Sequence, residues 1–337
     1  MNWLSGWPYR RKITISGSSG AGTNYQVLLK IGESSGATGY HFHLDGKSAN
    51  FPSGTNQGGD LRFTADDGTT LLSFWVEAVN GTSPNRVALV WVKISADLGT
   101  SKDIYVYFGN PNAMNASDGT NTFLFFDDFD DNVLDWTTRN GSWSETGGYL
   151  KGSYTGNETV IARAKKSFND SGSLRYRWSA KFTTQKSNYY PWCGLEIKSP
   201  STDAGDYDTG YLLLSYTETG ISGSVNSFKV FKATSGSISS LTSWTTSISD
   251  GTFYTWTAIY RSGTIYIYKN DSLLGSISDS TYTTGAVLRL FYSQNTGNAD
   301  FDWIFVSKYV SPEPAFGAAG SIEQVPISSR RLLLMPL

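Results

Sequence analysis

The strongest constraint in this chain is its rhythm. Short runs of apolar and polar residues alternate along most of its length, each closed by a turn signal. No stretch carries the spacing of an amphipathic helix. Arg11 to Ile15, Tyr25 to Ile31, Asp60 to Thr64, Leu72 to Val79, Arg86 to Ile94 and Lys102 to Phe108 read as strands. Gly109-Asn110-Pro111 then stops the pattern, and residues 110–122 are polar and aperiodic, as at a domain boundary. A second series follows: Tyr149 to Gly152, Thr159 to Ala164, Ser173 to Phe182, Trp192 to Lys198, Tyr211 to Tyr216, Ser227 to Ala233, Thr252 to Arg261, Thr264 to Lys269, Ala286 to Tyr292 and Phe301 to Lys308. Arg261-Ser262-Gly263-Thr264 has the form of a two-residue hairpin turn. So many short strands without a helix predict an all-β protein of sandwich or barrel type.

Composition supports that class and narrows the partners. Aromatic residues make up 15% of the 337 and charged ones only 17%, with 35 glycines for turns. A net charge of −2 supplies no electrostatic footprint for nucleic acid or anionic lipid. No segment has the length of a membrane span, so no membrane insertion is expected. The first residues, Met1 to Trp7, lack the basic and apolar regions of a signal peptide. With one cysteine, Cys193, no intramolecular disulfide can form. Its apolar strand context makes it a small core residue. The only histidines, His41 and His43, lie in the other half of the chain, so neither a Cys–His nucleophile nor a transition-metal cluster is expected. The sequence is expected to divide into domains at 1–122 and 123–312. Residues 313–337, opened by Pro314, Gly317 and Gly320, read as a linker and an apolar C-terminal tail.

Two resemblances add architecture. Trp7-Pro8-Tyr9-Arg10-Arg11-Lys12-Ile13, with Asn24 to Val27, Asp60 to Phe63, Trp75-Val76-Glu77, Val90 to Lys93 and Ile104 to Asn110, resembles the DUF2341 family over residues 3–125. That family implies a β-sandwich-like domain without assigned catalytic residues. Phe126-Asp127-Asp128-Phe129-Asp130, Leu134-Asp135-Trp136, Trp143, Gly148-Tyr149-Leu150 and the closing Phe301-Asp302-Trp303-Ile304-Phe305-Val306 resemble the concanavalin A-like lectin/glucanase superfamily of laminin-G-like type. This second resemblance implies a jelly-roll β-sandwich over residues 123–310. It also implies a structural Ca2+, with Asp302 as side-chain ligand and backbone oxygens from Gly148 and from near Asp127. The competing reading is that Asp302 caps a strand or pairs with an arginine. No other cofactor is implied.

Function is read from the second domain. Glucanases on this fold carry two carboxylates on one strand, spaced to share a face. Trp192 to Lys198 offers only Glu196, so catalysis is not expected. Asn188-Tyr189-Tyr190-Pro191-Trp192, followed by Tyr207, Tyr211 and Tyr216, groups flat aromatic rings of the kind that stack on sugar faces. Tyr189, Tyr190, Trp192 and Tyr211 are the candidate ligand residues. The alternative is that they fill the core, as Trp178, Trp256 and Trp303 are expected to do. The leading expectation is an adhesion protein that binds a glycan or cell-surface polysaccharide, displayed outside the cell, on its surface or on a virus particle. The rival is a structural virion or filament component that assembles as a homo-oligomer or with virion neighbours. A glycan hydrolase or lyase ranks third.

Overall fold

A computed structural model describes residues 2–153, 161–184, 192–200, 209–216, 226–293 and 297–325. The chain forms two compact units. One holds residues up to Phe123 together with those from Val310 onward, and the other is Leu124–Tyr309.

In the first unit the strands are β1 (Tyr9–Ser16), β2 (Tyr25–Gly32), β3 (Phe42–His43), β4 (Arg62–Thr64), β5 (Leu71–Leu72), β6 (Phe74–Asn80), β7 (Val87–Ile94) and β8 (Lys102–Phe108). One helical turn, α1 (Gly119–Thr122), follows. Its cap is Asp118, whose carboxylate accepts from the Asn121 N–H at 2.8 Å.

The second unit contains β9 (Phe125–Asp127), β10 (Thr137–Arg139), β11 (Ser142–Glu145), β12 (Leu150–Ser153), β13 (Ile161–Ser171), β14 (Leu174–Thr184), β15 (Trp192–Ser199) and β16 (Gly210–Tyr216). It continues with β17 (Ser227–Thr234), β18 (Ser237–Thr245), β19 (Tyr254–Arg261), β20 (Thr264–Lys269), β21 (Ser272–Ser278), β22 (Thr284–Ser293) and β23 (Gly297–Lys308). The last strand, β24 (Ala315–Gln324), belongs to the first unit.

The first unit is a sandwich of a five-stranded sheet, β24-β1-β8-β4-β5, and a four-stranded sheet, β3-β2-β7-β6. Alternation sends Ile13, Ile15, Ile104 and Val106 of one sheet and Val27, Leu29, Val90 and Val92 of the other into one shared core. The second unit pairs a seven-stranded sheet, β10-β13-β22-β15-β16-β17-β18, with an eight-stranded one, β11-β12-β23-β14-β19-β20-β21. Strand β9 pairs with β23. Trp178, Trp256, Leu195, Leu213, Phe228, Leu290 and Ile304 fill the space between these sheets. The all-β class read from the sequence is the observed one. Trp178 and Trp256 lie in this core as expected, whereas Trp303, one step out of phase with Ile304, is buried on the other face of its sheet against Phe305. Cys193 is buried too, its thiol pKa pushed up to about 12 by burial. Among the described residues no helix is long and apolar enough to cross a membrane.

The linker expected from residue 313 is corrected by β24. This strand pairs antiparallel with β1 along its length, from Tyr9 opposite Gln324 to Ser16 opposite Ala315. Two register shifts break its alternation. Most of its residues are small or exposed because it forms a sheet edge. Both features hide the periodicity that marks a strand in sequence.

Candidate functional site

The face of the seven-stranded sheet turned away from the main core carries its own small apolar cluster. Leu212, Leu214, Ala233 and Phe291 are buried there, with Trp192, Tyr216 and Phe231 packed against them and partly exposed. Register places these aromatics side by side. Trp192 is opposite Tyr216, and Leu212 is opposite Phe231 on the next strand. The Trp192 and Tyr216 rings stack, with centroids 5.9 Å apart and planes 27° apart. Tyr216 and Phe231 lie 6.3 Å apart and are tilted by 47°. Lys229 Nζ sits 4.3 Å from the centre of the Tyr216 ring, a cation–π geometry. The result is a strip of aromatic edges and faces with a cation on it.

Of the four ligand residues expected from sequence, Trp192 is in this strip. Tyr189 and Tyr190 lie outside the described residues, as does Tyr207. Tyr211 is a correction. It lies one step out of phase with Leu212, Leu214 and Tyr216, so it points into the main core and is fully buried. Its hydroxyl is committed to Asp279, 2.7 Å from the carboxylate. The segment Tyr211-Leu212-Leu213-Leu214 is apolar on both faces, so sequence alone does not give the parity. Tyr216 and Phe231 complete the strip. Tyr216 was visible in the aromatic cluster, whereas Phe231 shows no signal until β17 is placed in register.

Glu196 is on the same face, and its environment is that of a fixed ion pair. Both it and Arg289 on β22 have fully buried side chains, and Arg289 Nη1 donates to Glu196 Oε2 at 3.1 Å. Arg289 also donates to Ser199 Oγ, and at 3.3 Å to the Pro200 carbonyl. Among the described residues of β15, β16 and β17, Glu196 is the sole carboxylate. The strands therefore present no second acid with which it could share glycoside chemistry.

The expected cation site lies elsewhere in the unit. Asp302 on β23 accepts from Ser179 Oγ at 3.1 Å. Burial pushes its carboxyl up to about 6, with added repulsion from Asp130. Asp128 is also pushed up to about 6, by burial and then by Asp130 and Asp127. Gly148 adjoins the same carboxylates: its ideal Cβ position lies 2.9 Å from Asp130 Oδ1, and its φ of 74° favours glycine there. The structure thus brings Asp302, Asp128, Asp130 and Gly148 into one neighbourhood. The side chain of Asp127 has other duties. It accepts from the Phe129 N–H at 3.0 Å, from the Trp136 indole at 2.8 Å and from Lys166 Nζ at 3.0 Å. Among the described residues no group of three or more His, Cys, Asp or Glu side chains converges on one point. A cation here would therefore need backbone oxygens beside the carboxylates, a mixture that suits Ca2+.

A pH signature follows from these raised carboxyls. Each binds its proton more tightly in the folded chain than at its ordinary value of 3.8. Their contribution to stability is complete below that value and is lost as pH rises through about 6. After screening by nearby solvent, the loss should be roughly 1 to 2 kcal/mol per group. EDTA-treated protein is expected to melt lower at pH 7 than at pH 5, and Ca2+ should restore the difference at pH 7. Asp302→Asn should remove the Ca2+ response and only reduce the pH response, because Asp128 keeps its own raised carboxyl and Glu145, pushed up to about 8 by burial and by Asp131, adds to it. An unchanged melting temperature on adding Ca2+ at pH 7 would remove the cation from this site.

Comparison with known proteins gives one family and a set of structural likenesses. The family model described as a domain of unknown function, DUF2341, matches residues 57–146. This span begins later than the resemblance drawn over residues 3–125 and runs past Phe123 into the second unit. No curated protein matches. Among solved structures, the chain is similar to the carbohydrate binding module CBM66 from Bacillus subtilis, at 18% identity over 51% of this chain and 95% of that one, with a TM-score of 0.39. It is similar to a protein of unknown function with a galectin-like fold from Bacillus subtilis, at 14% identity over 55% of this chain and 95% of that one, with a TM-score of 0.42. A third likeness is to the CBM2 module of the evolved Dit of Lactobacillus casei BL23 phage J-1, at 8% identity over 56% of this chain and 97% of that one, with a TM-score of 0.41.

Proposed function

We propose that this protein is a non-catalytic carbohydrate-binding protein that acts outside the cell, on a cell surface or on a virus particle. In this reading its second unit is a concanavalin A-like sandwich that presents a glycan site. The observation that carries it is the strip of Trp192, Tyr216 and Phe231 with Lys229 over Tyr216. Sugar rings offer apolar C–H faces to flat aromatics and hydroxyls to polar groups at their edges. A partly exposed aromatic strip on a rigid sheet needs little ordering on binding. The non-catalytic part of the proposal rests on Glu196, whose carboxylate is held by Arg289 in the interior. A structural Ca2+ bound through Asp302 with Asp128 or Asp130 would brace β23 against the loop after β9.

The test is a glycan array followed by affinity measurement on the best ligand. Trp192→Ala and Tyr216→Ala are each expected to weaken binding by about tenfold, a loss of roughly 1.4 kcal/mol. The measurement is made on protein that circular dichroism shows to be folded, since each variant also gives up packing on the Leu212–Phe291 cluster and melts lower. A second reading, assembly through the β-domains, is favoured by two edge strands. Both β18 (SISSLTSWT) and β21 (SLLGSIS) carry no charge, although exposed edges are usually guarded by lysine or proline. A stable symmetric oligomer with no glycan bound would move the assignment to that reading. Release of reducing ends from a polysaccharide panel would overturn the non-catalytic claim.

A further inference from the structure

The core of the second unit holds an ion pair that the glycan strip does not use. Asp170 on β13 and Lys198 on β15 are separated by β22, yet Lys198 Nζ lies 2.6 Å from Asp170 Oδ1 and both side chains are fully buried. The backbone is shaped to bring them together. The ladder skips register between Ser167 and Asp170 and again between Glu196 and Ser199, and Lys198 adopts a left-handed φ of 56°. Gly285 stands opposite Asp170 on the intervening strand. A Cβ there would meet the Ser199 nitrogen at 2.5 Å and the Lys198 carbonyl carbon at 2.8 Å, so the crossing requires glycine.

We propose that Asp170 and Lys198 are a modification site, joined by an intramolecular isopeptide bond that the fold forms by itself. The surroundings supply what such a condensation needs. The Tyr176 hydroxyl donates to Asp170 Oδ1, and the Lys198 backbone N–H donates to Oδ2 at 2.7 Å. The Tyr260 ring lies 4.7 Å from Nζ and Tyr176 at 5.9 Å, and Nζ also donates to the Gly172 carbonyl at 3.0 Å, so the fully buried pair sits between aromatic rings. In water this condensation is opposed by hydration of the ammonium and the carboxylate. Here that hydration is already lost, and converting two buried charges into a neutral amide removes the cost of keeping them there. The groups are also held at contact, which replaces a bimolecular encounter.

The balance is simple. One proton passes from the Lys198 ammonium to Asp170 Oδ1, leaving an amine and a neutral acid. Burial assists this by weakening the hold of Lys198 on its proton. The nitrogen lone pair attacks Cγ while the Lys198 N–H stabilises the charge that develops on Oδ2. The Cγ–Oδ1 bond then breaks. Oδ1 leaves as water with the transferred proton and a second one from the nitrogen. Tyr176 relays that second proton, giving its hydroxyl proton to the departing Oδ1 and taking the nitrogen's in its place. Oδ2 becomes the amide carbonyl, still accepting from the Lys198 N–H. No oxidant, reductant or co-reactant is required.

Intact-mass spectrometry of the full chain, folded and then denatured, is the test. The expected mass is one water below that of the sequence. Proteolysis should yield a branched peptide linking the segments that hold Asp170 and Lys198. Lys198→Arg keeps the charge pair and should stay at its own sequence mass. Folded wild-type protein that remains at the sequence mass overturns the proposal. So does a water loss that maps to other residues or that persists in Lys198→Arg. The result is independent of glycan binding, because neither residue lies in the aromatic strip.

Discussion

A chain ending at residue 309 is expected to lose the fold of its first unit. The segment from Val310 to Gln324 is built into that unit at several points. Strand β24 covers the edge of β1, and Phe316, Ala319 and Ile322 pack against the first core. Phe316 stacks on His41 with centroids 5.0 Å apart. Ser18 Oγ donates to the Pro312 carbonyl at 2.6 Å, and the Tyr25 hydroxyl lies 2.9 Å from Glu313 Oε1. Arg10 adds an ion pair to these contacts. Its side chain is almost wholly buried between the rings of Trp3 and Tyr105, and Glu323 is its carboxylate partner at 2.8 Å. Glu323 is 38% exposed and Arg10 keeps its bonds to the Asn2 carbonyl and the Tyr107 hydroxyl, so removing that carboxylate costs a screened amount of about 1 to 2 kcal/mol. The exposed β1 edge and the lost apolar packing add to this. The sum is comparable with the whole stability of an ordinary domain, about 5 to 15 kcal/mol. Two-transition melting curves should show the second unit unchanged and the first transition absent. Glu323→Gln alone should lower the first transition only modestly, because solvent screens this half-exposed carboxylate and the amide oxygen can still accept from Arg10. A truncated chain that keeps both transitions would show β24 to be dispensable.

What sequence could and could not reveal follows from where each residue sits. The hairpin between β19 and β20 was legible because it depends on local turn chemistry. Ser262 and Gly263 have φ of 48° and 76°, the pair of positive values that a two-residue type I′ loop demands. Strands β18 and β21 are illegible in the sequence: Ser and Thr make up six of the nine residues of β18, and β21 breaks its aliphatic residues with serines and a glycine. A strand at a sheet edge with much of its length exposed has no apolar alternation to display. The ligand strip was half legible. Trp192 and Tyr216 announce themselves by type, but parity decides between strip and core. In a strand buried on both faces, such as β16, parity is set only by pairing with its neighbours. Glu196 posed the reverse problem. It looked like a lone acid because Arg289 lies far along the chain, and only the β15–β22 register, with Glu196 opposite Arg289, joins them.

That pairing carries the second large effect. Glu196→Ala is expected to destabilise the second unit by about 3 to 5 kcal/mol, because Arg289 would remain buried beside a missing carboxylate. Glu196→Gln should cost less, since the amide oxygen can still accept from Nη1, but it removes the charge. The double variant Glu196→Leu/Arg289→Met should recover most of the loss, because replacing both ions with apolar groups of similar volume removes their desolvation cost along with their attraction. The pattern separates a structural pair from a catalytic acid. A catalytic carboxylate replaced by its amide would leave stability intact and abolish turnover. A structural one changes the unfolding midpoint and leaves glycan affinity at the Trp192–Tyr216 strip unchanged wherever the unit remains folded. Urea unfolding of the four proteins, followed by tryptophan fluorescence, gives the comparison directly. If Glu196→Ala unfolds at the parent midpoint, the ion pair does not hold β15 to β22, and Glu196 is then free to serve in chemistry.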